Sequence, residues 1–220
     1  MTNILSGYST VIFDCDGVVL NSNPVKTKAF YEAVLPYGEN AAKAMVEYHL
    51  ANGGISRYKK FEHFLQQIVP EVCCDVDGPS LDNLLSSYAE RVWSGLLTCE
   101  VAGGLERLRG KNPNSNWLIA SGGDQVELRN LFELRGISNL FNGGVFGSPD
   151  SKEGILEREK QNGNIGESAV FIGDSKYDYF AAKQAGFDFL FVWEWTEVKR
   201  YEEWCRAEGI TFYKNLGELS

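Results

Sequence analysis

Short apolar runs separated by helix-length segments predict an α/β fold, a Rossmann-like parallel sheet wound on both faces by helices. Two observations carry that expectation. The runs Val11-Ile12-Phe13, Trp117-Leu118-Ile119-Ala120, Ala169-Val170-Phe171-Ile172 and Phe189-Leu190-Phe191-Val192 are apolar without alternation, as in strands covered on both sides. Between the first two, residues 21–98 show helical spacing and no convincing strand, which predicts an all-helical insert. The expected division is therefore 1–20 with 99–220 as the sheet-containing core and 21–98 as the insert.

In order, the first run ends in Asp14-Cys15-Asp16-Gly17 and continues apolar through Val18-Val19-Leu20. Residues i and i+2 of an extended chain face the same way, so Asp14 and Asp16 share a site at the strand's end, where open α/β sheets bind ligands. Two adjacent carboxylates repel, and a cation relieves the repulsion. Cys15, alternating with them, is expected in the core. Gly17 suits a tight turn or a close approach. Asn21-Ser22-Asn23-Pro24 opens a helix expected from Val25 to Leu35, and a second is expected from Glu39 to Leu50. Asn52-Gly53-Gly54 breaks the pattern. Ser56 then caps a helix with Tyr58, Phe61, Phe64, Leu65 and Ile68, which Pro70 is expected to end. A loop from Cys73 to Pro79 precedes a helix carrying Leu81, Leu84, Leu85, Tyr88, Val92 and Leu96.

Alternation resumes at Val101. Gly103-Gly104-Leu105 leads into a short helix, and Ser121-Gly122-Gly123-Asp124 closes the second strand. A helix from Gln125 to Arg135 follows, then a short strand at Gly144-Val145-Phe146. The loop Ser148-Pro149-Asp150-Ser151-Lys152 starts a helix to Gln161. Gly173-Asp174 ends the next strand, and a helix from Tyr177 to Ala185 stops at Gly186.

The 220 residues can bury a sizeable core. A formal charge of −9 argues against nucleic acid or an anionic membrane as a main partner. The five cysteines, Cys15, Cys73, Cys74, Cys99 and Cys205, lack metal-ligand spacing and fit a reducing, cytoplasmic setting. No basic segment followed by an apolar block opens the chain, so no signal peptide is expected, and no run reaches membrane-spanning length.

Polar groups thus gather at the carboxyl ends of several strands: Asp14 and Asp16, Ser121 with Gly122-Gly123, Lys152, and Asp174 with Asp178. Several acids, one lysine and one hydroxyl beside glycine amides suit cation-assisted phosphoryl chemistry on a small phosphate ester. Acids hold a hard cation, and the lysine, hydroxyl and amides hold phosphate oxygens. In this set the sequence resembles the haloacid dehalogenase superfamily in its phosphatase branch. The matching motifs are Asp14-Cys15-Asp16-Gly17-Val18-Val19, Ser121-Gly122-Gly123, Lys152, and Gly173-Asp174-Ser175-Lys176-Tyr177-Asp178, continued by Ala181-Ala182 and Ala185-Gly186. Each follows an apolar run, and the order holds over nearly the whole chain.

The resemblance implies that Asp14 attacks phosphorus to form an aspartyl-phosphate. Asp16 protonates the leaving oxygen and then activates water. Mg²⁺ is held by Asp14, the Asp16 carbonyl and Asp174, with Asp178 in support. Ser121, Gly122 and Lys152 receive the phosphate. It also implies that 21–98 is a mobile helical cap, with Arg57 in the substrate-specificity loop Asn52-Gly53-Gly54-Ile55-Ser56-Arg57. Two positions depart from the usual pattern: Asn21-Ser22 where Asp-Ser is common, and Lys152-Glu153 where Lys-Pro is common. Rival readings are a sugar-phosphate mutase of similar cap type, a phosphonate-cleaving enzyme using a cap lysine such as Lys59 or Lys60, and a silent binding module. Dehalogenation is disfavoured by the acid at Asp16.

Taken singly, the same residues fit plainer roles. Lys152 reads as a solvated lysine, Asp178 as a first-turn helix acid and Ser121-Gly122-Gly123 as a turn. Arg57 could pair with a surface acid. Trp193, Trp195, His49 and His63 read as packing residues.

Overall fold

The computed structural model describes residues 3–72 and 77–220. The first apolar run forms β1 (Thr10–Phe13) inside a six-stranded sheet of order β3-β2-β1-β4-β5-β6. The other strands are β2 (Asn116–Asp124), β3 (Gly144–Ser148), β4 (Ala169–Gly173), β5 (Asp188–Val192) and β6 (Thr211–Tyr213), and every pairing is parallel. Phe13 lies level with Ile119 on one side and Ile172 on the other, so β1, β2 and β4 present their carboxyl ends along one rim.

The period-2 alternation of a strand divides the core between two faces. Val11, Phe13, Trp117, Ile119, Val170 and Ile172 point one way; Ile12, Leu118, Ala120 and Phe171 point the other. Between β1 and β2 the chain forms α1 (Asn23–Val34), α2 (Glu39–Ala51), α3 (Arg57–His63), α4 (Val69–Val72) and α5 (Leu81–Thr98), with no strand among the described residues of 21–98. Aromatic side chains bind this insert together: Phe30 packs on Phe61 at 5.2 Å and on Tyr88 at 4.4 Å between ring centres. Of the remaining helices, α6 (Leu105–Lys111) and α7 (Gln125–Leu134) cover the first face, where Leu105, Leu108, Leu128 and Phe132 are buried. Helices α8 (Lys152–Gln161) and α9 (Lys176–Ala185) cover the second through Ile155, Leu156, Ala181 and Ala182. Helix α10 (Tyr201–Glu208) lies beyond β5.

The parallel sheet and the helical stretch between its first two strands stand as expected. Two local expectations are corrected. Pro70 does not end its helix: Phe64–Ile68 widens into a π turn and α4 carries on through the proline to Val72. A widened turn shifts the hydrogen-bond register, which accommodates a residue that has no N–H to donate. Strand β2 does not close at Ser121 but runs to Asp124, with a register irregularity between Ala120 and Asp124. Strand β6, of three residues, and helix α10 were not foreseen. Residues 73–76, part of the expected loop, lie outside the described residues, as do Cys73 and Cys74; Cys15, Cys99 and Cys205 are free thiols. Cys15 is buried in the core, as anticipated. Among the described residues no helix is long and apolar enough to cross a membrane.

Phe132 is fully buried on α7 with its ring 5.3 Å from that of Phe141, away from the strand ends. Phe132→Ala is expected to lower the unfolding free energy by roughly 3–5 kcal/mol, as is usual when a buried aromatic side chain is removed. Urea denaturation measures it; a change under about 1 kcal/mol would mean that this face of the core repacks freely.

Candidate active site

Each apolar strand delivers its polar residue because its hydrogen-bonded, buried part stops at the same rim. Asp14 is the first residue past β1, and Asp174 the first past β4. Asp178 comes from the first turn of α9, where a capping box fixes it: its carboxylate accepts from the Ser175 amide at 3.1 Å and from the Ser175 hydroxyl at 2.7 Å, while Ser175 Oγ accepts from the Asp178 amide. Lys152 is the first residue of α8.

These four side chains meet. One oxygen each of Asp14, Asp174 and Asp178 lies within 4.8 Å of the others. Lys152 is only 1% exposed, so it is not a solvated lysine, and its Nζ stands 2.9 Å from Asp14 Oδ1 and in contact with Asp178 Oδ1. Burial alone would drive the ammonium towards its neutral form, but Asp14 and Asp178 hold it above its usual range. Burial pushes the Asp14 carboxyl up to about 7, aided by Asp178 and Asp16 and opposed by Lys152. Asp174 is driven well above the usual carboxylate range by burial and by the charges of Asp14 and Asp178. Carboxylates pressed together in this way suit a hard divalent cation, which neutralises them and takes oxygen ligands. The cluster therefore fits a divalent cation.

Asp16 stands apart from this group. Its carboxylate accepts from Ser22 Oγ at 2.5 Å and pairs with Lys26 of α1, also at 2.5 Å. Although burial works the other way, Lys26 holds it below the usual range. Its side chain is thus not placed among the metal-ligating oxygens, which leaves its main-chain carbonyl for the metal role implied by the sequence. Between the two acids and the rim, Gly17 has φ +75°, and a Cβ there would lie 2.0 Å from Asp174 Oδ2. Only glycine lets the turn pass this close to the third carboxylate. Ser121 is fully buried, and its hydroxyl accepts from the Gly123 amide at 3.0 Å.

A cavity of about 710 Å³ opens over the rim. Asp14, Asp16, Asp174 and Gly122 line it from the core, and Lys26, Arg57 and Lys60 line it from the insert. The insert sits directly on the core: a Cβ on Gly122 would lie 2.3 Å from the Gly54 carbonyl. Arg57 enters the cavity wall as the sequence suggested, but its guanidinium is paired with Glu127 of α7. Tyr58 donates to Asp124 at 2.8 Å, a second bond from insert to core. Trp193 stacks on Tyr201 and His63 on Tyr48, so both are packing residues as expected. Sequence reasoning missed Asn23, which donates 3.0 Å to Asp174, and missed Lys26 as well as the partners Glu127 and Glu197. Asn23 lay in a stretch read as a linker or helix start, with nothing in it to mark a contact to Asp174.

The description "haloacid dehalogenase-like hydrolase" matches residues 8–186 of the chain. Solved structures share its whole architecture. A predicted phosphoglycolate phosphatase from Haemophilus somnus 129PT is 15% identical with a TM-score of 0.73, covering 100% of this chain and 97% of that one. CbbY from Rhodobacter sphaeroides, solved with phosphate, is 16% identical with a TM-score of 0.73 over 97% and 96% of the two chains. A β-phosphoglucomutase from Clostridium difficile is 17% identical with a TM-score of 0.73 over 97% and 93%. Likeness at such identities bears on the fold alone. No curated protein sequence matches the chain significantly.

Removing Lys152 leaves Asp14 and Asp178 buried without their counter-ion. Lys152→Met is expected to destabilise the metal-free protein by roughly 3–5 kcal/mol near pH 8. The sign of the pH dependence follows from Asp14, whose folded-state pKa of about 7 already exceeds the ordinary 3.8. Without Lys152 it rises further, so the folded variant binds this proton more tightly than the unfolded chain and regains stability as pH falls. The difference from wild type should shrink as pH falls from about 8 through about 7 and level off towards about pH 5, where wild-type Asp14 holds the same proton. Urea denaturation in chelator across that range tests this; a penalty independent of pH would show that Lys152 is not the counter-ion.

Proposed function

The chain belongs to the haloacid dehalogenase-like hydrolases, and from that membership we propose that it is a Mg²⁺-dependent phosphatase of a small phosphorylated metabolite, with a sugar phosphate as one candidate. The observation that supports this most is the buried group of Asp14, Asp174, Asp178 and Lys152, of which Asp14 and Asp174 line a cavity large enough for such an ester.

In this reading Asp14 is the nucleophile. Its oxygen attacks phosphorus and the ester oxygen leaves, giving an aspartyl-phosphate that water later cleaves. A carboxylate approaches an anionic phosphate only if the repulsion is screened. Lys152 supplies one positive charge beside Asp14, and the Ser121 hydroxyl with the Gly122 amide supplies donors to the phosphoryl oxygens. Asp14, Asp174 and the Asp16 carbonyl would hold Mg²⁺, with Asp178 in support; the ion's contribution is to neutralise charge on the phosphoryl group. Asp16 serves as acid and then as base. The Lys26 pair favours its ionised form, the state needed to activate water. Protonating the leaving oxygen requires Asp16 to take up a proton first, which a looser contact with Lys26 would favour.

Residues 21–98 act as the cap. The Gly54–Gly122 seam, the Arg57–Glu127 pair and the Tyr58–Asp124 bond support a closed arrangement that keeps bulk water from the cavity. Arg57, already engaged by Glu127, would contact substrate only by exchanging one anion for another.

Phosphate release from a panel of sugar phosphates, nucleotides, phosphoglycolate and a chromogenic ester is expected to require Mg²⁺ and to vanish in chelator. Asp14→Asn should lower kcat by on the order of 10³-fold or more, and Asp16→Asn by roughly 10²–10⁴-fold. Release unaffected by Asp14→Asn would sink the nucleophile assignment. Isomerised sugar phosphate without release would point to a mutase instead.

A further inference from the structure

Three largely buried cationic side chains of the insert line the cavity: Lys26, Arg57 and Lys60. Two are already matched, Lys26 by Asp16 and Arg57 by Glu127. Lys60 is not. It is 2% exposed, and its Nζ lies 2.6 Å from His49 Nδ1 and 3.5 Å from the His49 carbonyl. An ammonium offers three donors. Among the described residues the third finds no hydrogen-bond partner and no carboxylate lies within 4.0 Å; only the face of the Phe30 ring, 5.4 Å away, offers a weak attraction. An unmatched ammonium in such a place is unfavourable unless something else brings the opposite charge.

The neighbours of Lys60 hold it without neutralising it. The ammonium donates to His49 Nδ1, which puts the imidazole hydrogen on Nε2. Nε2 lies 3.1 Å from Thr27 Oγ1, and the Thr27 hydroxyl donates to Glu197 Oε1 at 2.8 Å. Burial and the charges of Lys60 and Lys26 keep His49 neutral, its pKa pushed down to about 2. The charged groups around Lys60 are Lys26 on α1, Asp16 and Lys152 at the rim, and Glu197 after β5. Burial and Lys26 push the ammonium down to about 7, with Glu197 and Asp16 opposing them at longer range. An oxyanion in the cavity would reverse that.

We propose that Lys60 is the recognition residue for a second oxyanion, a carboxylate or a further phosphate, on the part of the ester that leaves. The substrate class is then a phosphate ester whose non-phosphoryl end is itself an anion. This rests on the phosphatase reading above, since it takes the phosphoryl group to lie at Asp14. Lys60 lines the cavity from the insert and Asp14 lines it from the core, so both face the same space.

The test reads binding apart from chemistry. Full-length Asp14→Asn protein with Mg²⁺ is titrated calorimetrically with three ligands of similar size: phosphoglycolate, 2-hydroxyethyl phosphate and 2-aminoethyl phosphate. Phosphoglycolate is expected to bind about tenfold or more tighter than the neutral-ended ester, and the cationic one weakest, because a charge pair in a dry site discriminates strongly. Lys60→Met in the same background should level the series, and Lys60→Arg should keep its order. Propanediol bisphosphate against 3-hydroxypropyl phosphate, run in parallel, separates a second phosphate from a carboxylate by which gains more from Lys60. A flat or inverted series, absent binding, or a preference that survives Lys60→Met overturns the assignment. The Asp14→Asn series needs no change at Lys60, so the proposal stays testable even if Lys60→Met does not fold. A steep series without phosphate release from the wild type would sink the phosphatase reading and leave Lys60 assigned; release with a flat series would do the opposite.

Discussion

One buried ammonium governs this molecule's central rim. Lys152 lies between Asp14 and Asp178, touching both. The acids arrive from distant parts of the chain, one at the end of β1 and one in the first turn of α9. Like charges do not gather in a dry place by themselves, and the cation that draws them together sits at the first position of α8. The stacking of β1 beside β4, the start points of two helices and the spacing of the carboxylates all agree with that contact. Burial makes it strong and also makes it exacting, since none of the partners can turn to water if another is lost.

Over this floor the insert is joined by contacts of three kinds. The glycine seam at Gly54 and Gly122 brings two backbones together. The Arg57–Glu127 and Tyr58–Asp124 contacts tie α3 to the segment that opens α7. The chain from Lys60 through His49 and Thr27 to Glu197 ties α2 and α1 to the stretch after β5. Apolar packing joins them as well: Phe30, Phe61, Tyr88, Val92 and Leu96 of the insert belong to one continuous buried cluster with Val11, Phe13, Leu128 and Leu131 of the sheet and its covering helices.

Much of this could be read from the chain alone, for identifiable reasons. A strand buried on both faces leaves an unbroken apolar run, so β1, β2, β4 and β5 were visible, and the acids at their ends marked the rim. Three-residue β6 has only partly buried side chains and left no such trace. The continuation of the helix past Pro70 depended on a π turn that residue types alone do not announce. Asp14, Asp174, Asp178 and Lys152 were legible because four short motifs recur in one order. Lys26 and Lys60 were not, because a lysine on a helix ordinarily marks the solvated side; only tertiary packing turns these two inward. Arg57 was found, but Glu127 was not, since nothing local to α7 says which surface acid will meet a residue seventy positions earlier.

The amide of Asn23 joins the insert to the rim. It stands at the first position of α1 and donates at once to Asp174 and to the Trp195 carbonyl. The root of the insert is therefore pinned to the floor it covers. If residues 21–98 move as the cap proposed above, a door hung this way flexes further along the leaf, and strain that reaches its root is passed to a carboxylate lining the cavity. Tempo and alignment then share one fastening: a looser fastening would let the lid move sooner and hold that carboxylate less well.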